Sequence, residues 1–160
     1  MKDIITRIIV PTDFSDTSDA ALEYARVLAA RFGASLHLLH VIDDPFVTEG
    51  LAAEAYMTEA PTIRTAMLED ARARLRHRAR GCTTTEAIFG RGAVTIVEYA
   101  QQVDGDLIVM GTHGRTGLAH LLLGSVAERV VRIAPCPVLT VGQEAAPARQ
   151  RVLVDAAATA

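Results

Sequence analysis

Aromatic residues are scarce in this chain: they make up 4% of its 160 residues, and tryptophan is absent. A core for a chain of this length therefore has to be built from Val, Ile, Leu and Ala. That is the composition of parallel sheets covered by helices. Cysteine is nearly absent too. Cys82 and Cys136 lie far apart, with no CxxC and no nearby His pair. This argues against a disulfide framework and against a zinc site, and it fits a reduced, cytoplasmic setting. No apolar run approaches the roughly 20 residues of a membrane helix. The N-terminus enters a strand pattern within a few residues, without the apolar stretch of a signal peptide. Net charge is -3, so there is no basic excess to suggest nucleic acid. Common catalytic motifs are missing as well: there is no G-x-S-x-G, no G-x4-G-K-[ST] and no H-E-x-x-H.

What is present is a regular alternation. Ile8-Ile9-Val10, ending at Pro11, reads as a buried strand. Ser15 and Asp16 offer caps to a helix with apolar positions Ala21, Tyr24, Ala25, Leu28 and Phe32, which Gly33 stops. Ser35 to Ile42 reads as a second strand, and 43–60 as a long loop. Ile63, Met67, Ala71, Leu75 and Ala79 predict a second helix, ending near Gly81. Thr83 to Phe89 is the third strand, and Ala93 to Val103 the third helix, closed by Gly105. Asp106 to Gly111 is the most apolar strand and is expected to be central. Val126, Val130, Ile133 and Ala134 mark a fourth helix that Pro135 ends, and Val138 to Val141 is the fifth strand. Strict alternation with helical crossovers predicts one α/β domain over 1–142. It would be a five-stranded parallel, doubly wound, Rossmann-like sheet with helices on both faces. Residues 143–160 read as an Ala-rich tail, with a short strand considered at Arg151 to Val154.

Doubly wound sheets bind ligands beyond the strand C-termini, where the strand order reverses. At the fourth of these ends stands Gly111-Thr112-His113-Gly114-Arg115-Thr116-Gly117, followed after Leu118 to Leu123 by Gly124-Ser125-Val126. The outline is G-x2-G-x9-G-S. Glycines let the backbone turn sharply and let a phosphate approach where a Cβ would block it. Free N–H groups at the start of the fourth helix attract an anion. The Ser125 hydroxyl can donate to a phosphate oxygen, and Arg115 can neutralise charge. Ser125 and Glu128 also match a capping box, and plain turns use the same residues. Strand one ends Pro11-Thr12-Asp13. Asp13 suits a ribose hydroxyl, and equally a turn or helix cap. The backbone at Val41, ending strand two, can meet an adenine edge.

Ile8 to Asp13, the DLIVMGTHGRTG run, the GSVAERV run and Ala134-Pro135-Cys136-Pro137-Val138 resemble the universal stress protein family, in its UspA-like, ATP-binding branch. The resemblance covers about residues 4–142. It implies ATP as ligand, with ADP or AMP as variants, and a divalent cation such as Mg2+ carried on the phosphates. It places Asp13 at the ribose, Val41 at the adenine, and Met110 and Gly111 along the nucleoside. Gly114, Gly124, Ser125 and Val126 fall at the phosphates. It also implies a homodimer through the fifth strand, Val138, Leu139, Thr140 and Val141, which covers an otherwise bare apolar edge.

The expected function is that of an ATP-binding stress-response regulator acting on a protein partner, without membrane or nucleic acid. Two alternatives stand beside it: a slow ATPase or phosphotransferase, and an interaction module that binds no nucleotide. Other features have ordinary explanations. Arg72, Arg74, Arg76, Arg78 and Arg80 read as a solvated helix face. His113 and His120 read as loop residues, and His37 and His40 as structural. Cys136 reads as buried. Gly90-Arg91-Gly92 reads as a turn that can border the site.

Overall fold

The computed structural model describes residues 5–44, 60–112 and 124–142. Five strands alternate with four helices in this span: β1 Arg7–Pro11, α1 Asp16–Phe32, β2 Ser35–Ile42, α2 Ala60–Arg78, β3 Thr84–Phe89, α3 Gly92–Gln102, β4 Leu107–Gly111, α4 Ser125–Ile133 and β5 Val138–Val141. All pairings are parallel, in the order β3-β2-β1-β4-β5. The middle position belongs to β1. The more apolar β4 lies one place out, because the chain winds outward in both directions from its first strand. β3 and β5 are the two edges. The tail from residue 143, including Arg151 to Val154, lies outside the described residues.

Successive strand residues point to opposite faces, and the core divides accordingly. Ile8, Val10, Leu36, Leu38 and Val109 meet Ala21, Leu22, Ala25 and Leu75 of α1 and α2. Ile9, Leu39, Ile108 and Met110 meet Ile96, Ala100, Ala127 and Val130 of α3 and α4. The helical faces are narrower than their periodicity suggests. Phe32, Ile63 and Ile133 are exposed, while Ala71, Leu75 and Val130 carry the burial.

The helix ends follow local chemistry. Ser15 caps α1, its side chain accepting from the Ser18 N–H, and Gly33 closes the helix with φ of 65°. Arg26 serves the end of α2, where its guanidinium donates to the Arg78 carbonyl at 2.7 Å and the Arg80 carbonyl at 2.8 Å. The fourth helix departs from expectation. Gly124 is its N-cap and Ser125 its first helical residue, so no Ser125–Glu128 capping box forms. The Glu128 N–H bonds to the Gly124 carbonyl at 2.8 Å, and its carboxylate pairs with Arg132 instead, also at 2.8 Å.

At the N-terminal edge of the sheet, one oxygen of Asp106 ties β4 to β1. It accepts the Thr6 N–H at 2.8 Å, the Thr6 hydroxyl at 2.7 Å and the Arg7 N–H at 2.9 Å. These bonds, that from the Thr6 hydroxyl first, hold the carboxyl below its usual range. A depressed carboxylate contributes stability above its unfolded pKa and loses it as pH falls through the folded value. Asp106→Ala should therefore cost about 1 kcal/mol at pH 7, a modest figure because the site is exposed and solvent-screened. The gap to wild type should begin to narrow below about pH 3.8, the ordinary value, and close as pH falls through the lower folded value. Denaturant titrations at pH 7 and pH 3 test this. A gap that stays constant would mean that the charge is irrelevant.

Candidate functional site

At the C-terminal edge of the sheet, the chain leaves the neighbouring strands β1 and β4 for helices on opposite faces, and a crevice lies between. It is a cavity of about 230 Å³. Strand ends form one wall: Pro11, Thr12 and Asp13 after β1, Leu39, Val41 and Asp43 along and after β2, and Met110, Gly111 and Thr112 at the end of β4. Helix starts form the other: Ser18 in α1, Gly92 opening α3, and Gly124, Ser125, Val126 and Ala127 opening α4.

Nine of the residues expected from sequence thus meet in one place: Pro11, Thr12, Asp13, Val41, Met110, Gly111, Gly124, Ser125 and Val126. His113, Gly114, Arg115 and Gly117 fall outside the described residues. The ends of their segment are brought together, since the Gly124 N–H donates to the Thr112 carbonyl at 2.7 Å. Leu39, Asp43, Ser18, Gly92, Thr112 and Ala127 join the lining without having been singled out as nucleotide contacts. Leu39 and Asp43 stand two residues either side of Val41, so the strand period was a signal that could have found them. Gly92 belongs to the turn considered as a border of the site.

Asp13 has a local task as well as a place in the cavity. Its Oδ1 accepts the Ser15 N–H at 3.1 Å and the Ser15 hydroxyl at 2.5 Å. Thr12 Oγ1 accepts the Phe14 N–H at 3.0 Å and lies 3.0 Å from Ser18 Oγ. The start of α4 is different in kind. Gly124 provides no side-chain cap, and the first N–H groups of a helix have no acceptor within it. The residues that carry them, Ser125, Val126 and Ala127, line the cavity. The chemistry on offer is an apolar slot of Leu39, Val41 and Met110, a carboxylate at Asp13, and a helix start suited to an anion. No group of three or more His, Cys, Asp or Glu is placed to hold a metal among the described residues.

The remaining candidates lie elsewhere. His37 bonds Tyr99 Oη at 3.1 Å, and burial, then Arg7, lowers its pKa. His40 Nδ1 donates to the Thr12 carbonyl at 2.7 Å. Cys136 is half-buried rather than buried, and burial pushes its thiol pKa up. The arginine run is not uniformly solvated. Arg74 lies over the ring of Phe14 with Cζ 4.0 Å from its centroid, and Arg78 pairs with Asp19.

An open parallel sheet with its cavity at the switch point defines a doubly wound α/β protein, a class whose ligands bind at that point. Known proteins narrow this class. The universal stress protein family model matches residues 5–142. Universal stress protein MJ0531 of Methanocaldococcus jannaschii is 40% identical over 144 residues, covering 88% of this chain and 84% of the relative. The structure of universal stress protein UspA from Lactobacillus plantarum superposes with a TM-score of 0.74 at 31% identity, covering 85% of this chain and 97% of that one. The structure of a universal stress protein in complex with cAMP matches with a TM-score of 0.57 at 29% identity, over 87% and 98% of the two chains. This chain belongs to the universal stress protein family. No helix among its described residues is long and apolar enough to cross a membrane.

Proposed function

We propose that the chain is an adenine-nucleotide-binding regulatory protein of the stress response, with ATP as its ligand. One observation carries this reading: the Asp13 carboxylate and the uncapped start of α4 share a cavity with an apolar slot between strand ends. In this arrangement adenine lies at the β2 end against Val41, with the ribose at Asp13. The phosphates reach Gly124, Ser125 and Val126, with His113, Gly114, Arg115 and Gly117 in the adjoining segment. A Mg2+ ion would ride on the phosphates, because the described residues offer no ligand set of their own. The cAMP complex of the related protein supports an adenine ligand in this fold.

The same reading includes a homodimer through β5, an edge strand of the sheet. Val138, Leu139 and Thr140 are half-buried in the single chain. Val141 is already in the core, so its share in the interface would be through its backbone. Nucleotide binding would stabilise the protein by mass action and alter what a protein partner meets.

The test is calorimetric titration of the nucleotide-stripped protein with ATP and magnesium, beside Gly124→Val. Gly124 has φ -69° and ψ 154°, which a β-branched residue adopts freely. The variant should fold and lose at least about tenfold in affinity, since one obstructed charged contact is worth that much. No heat and no thermal shift with folded wild type would favour a nucleotide-free interaction module. Steady phosphate release that vanishes in Asp13→Ala would favour the slow ATPase.

A further inference from the structure

Phe14 follows Asp13 with φ of 65°, in the left-handed region that bulky residues avoid. Such strain persists only where the surroundings over-determine it. Here the surroundings are the core cluster that Phe14 joins, His40 of β2, and two arginines of α2. Arg74 Cζ lies 4.0 Å from the Phe14 ring centroid and Arg78 Cζ 5.2 Å from it. Arg78 is itself anchored to α1, with Nε 2.6 Å from Asp19 Oδ1 and Nη2 3.0 Å from Asp19 Oδ2. The Phe14 ring also meets His40 at 4.3 Å between centroids. His40 in turn holds the Thr12 carbonyl at 2.7 Å. The result is a ring only 8% exposed on a surface loop.

The consequence falls on Asp13. Its neighbours on both sides are pinned, Thr12 through His40 and Phe14 through the arginines. Thr12 and Asp13 line the cavity, whereas Phe14, Arg74 and Arg78 do not. We propose that Arg74 and Arg78 are positioning residues that clamp Phe14 and, through its left-handed turn, hold the Asp13 carboxylate in the cavity. The clamp couples the pocket to α2, and the coupling runs both ways: a ligand on Asp13 steadies α2 as much as α2 steadies the site. This rests on the reading of the cavity as an adenine-nucleotide site.

The experiment is a double-mutant cycle on the full chain, titrated with ATP and magnesium. Arg74→Ala should weaken binding about fivefold, in keeping with a partly exposed cation–π contact acting through one ligand group. In an Asp13→Ala background the same change should cost less than about twofold, because the group it acts through is gone. Equal losses in both backgrounds, or no loss in wild type, would overturn the clamp. Phe14→Asn provides a second variant. Asn accepts the left-handed turn but removes the ring. It should weaken ATP as Arg74→Ala does, with no further loss when the two are combined.

Amide exchange supplies a readout that does not depend on weak titrations. ATP should slow exchange across Ala60–Arg78 in wild type and leave it unchanged in Phe14→Asn. Protection of α2 that survives in Phe14→Asn would refute the coupling. Wild type that binds no ATP would remove the nucleotide reading and the coupling with it. Wild type that binds ATP with an additive cycle would remove the coupling alone.

Discussion

Ile108→Ala should lower stability by about 4 kcal/mol, the upper part of the range for truncating a fully buried aliphatic side chain. Ile108 is 0% exposed. It sits in β4, paired in register with Ile9 of β1 and with Val138 of β5. Its side chain enters the cluster that joins the sheet to α3 and α4. Strands on both sides fix the backbone, so the neighbours have little freedom to close the cavity left behind. A domain of this size has about 5–15 kcal/mol to lose. The melting temperature should therefore fall by roughly 8–16 °C. Ile108→Val should cost about 1 kcal/mol. Ile63→Ala on α2, where the residue is 38% exposed, should change little. Denaturant unfolding of the three variants decides the matter. Ile108→Ala no more harmful than Ile63→Ala would mean that the α3–α4 core does not hold the fold together.

The contrast between Ile108 and Ile63 also shows where sequence reasoning reached and where it stopped. Short apolar runs and glycine stops are local signals. Strand and helix order came out directly, with most ends displaced by a residue or so and α2 beginning at Ala60, three residues before Ile63. Gly33 closes α1 in the left-handed conformation that its position after Phe32 suggested. Non-local relations were less accessible. Apolarity alone pointed to β4 as the central strand, but winding order puts β1 there. Ile63 shares the spacing of Ala71 and Leu75, but what packs over it is set by tertiary contacts and not by periodicity. The arginine run looked like a solvated face because nothing in its composition marks Phe14, sixty residues earlier in the chain, as a partner of Arg74. The candidate site was more legible. The rule that ligands bind where strand order reverses converts a strand count into a location, so Asp13, Val41, Met110 and Ser125 fall around one cavity.

One glycine of the G-x2-G-x9-G-S outline, which lines the cavity, has a packing task besides the one its motif suggests, and this gives the second large effect. Gly111→Val should lower stability by about 3 kcal/mol, the upper end for overpacking, and should weaken any ligand in the cavity as well. A Cβ on Gly111 would stand 3.0 Å from Thr17 C, 3.1 Å from Thr17 O and 3.2 Å from Ser18 N. All three are backbone atoms in the first turn of α1, so no rotamer change relieves them. Either α1 lifts off β4 or β4 shifts in its pairing with β5, where Gly111 lies opposite Val141. Lifting α1 disturbs Ser15, which bonds Asp13, and Ser18, which lies beside Thr12. Gly111 is thus needed first for the close approach of helix to strand, and the pocket depends on that approach. Gly111→Ala should show the same effect at about 1–2 kcal/mol. Gly124→Val is the discriminating partner, since its extended backbone admits valine: ligand affinity should fall while the melting temperature without ligand stays near wild type. Thermal melts with and without ATP separate the two. Gly111→Val as stable as Gly124→Val would show that α1 yields easily there, and the phosphate-approach role would then be the better account of both glycines.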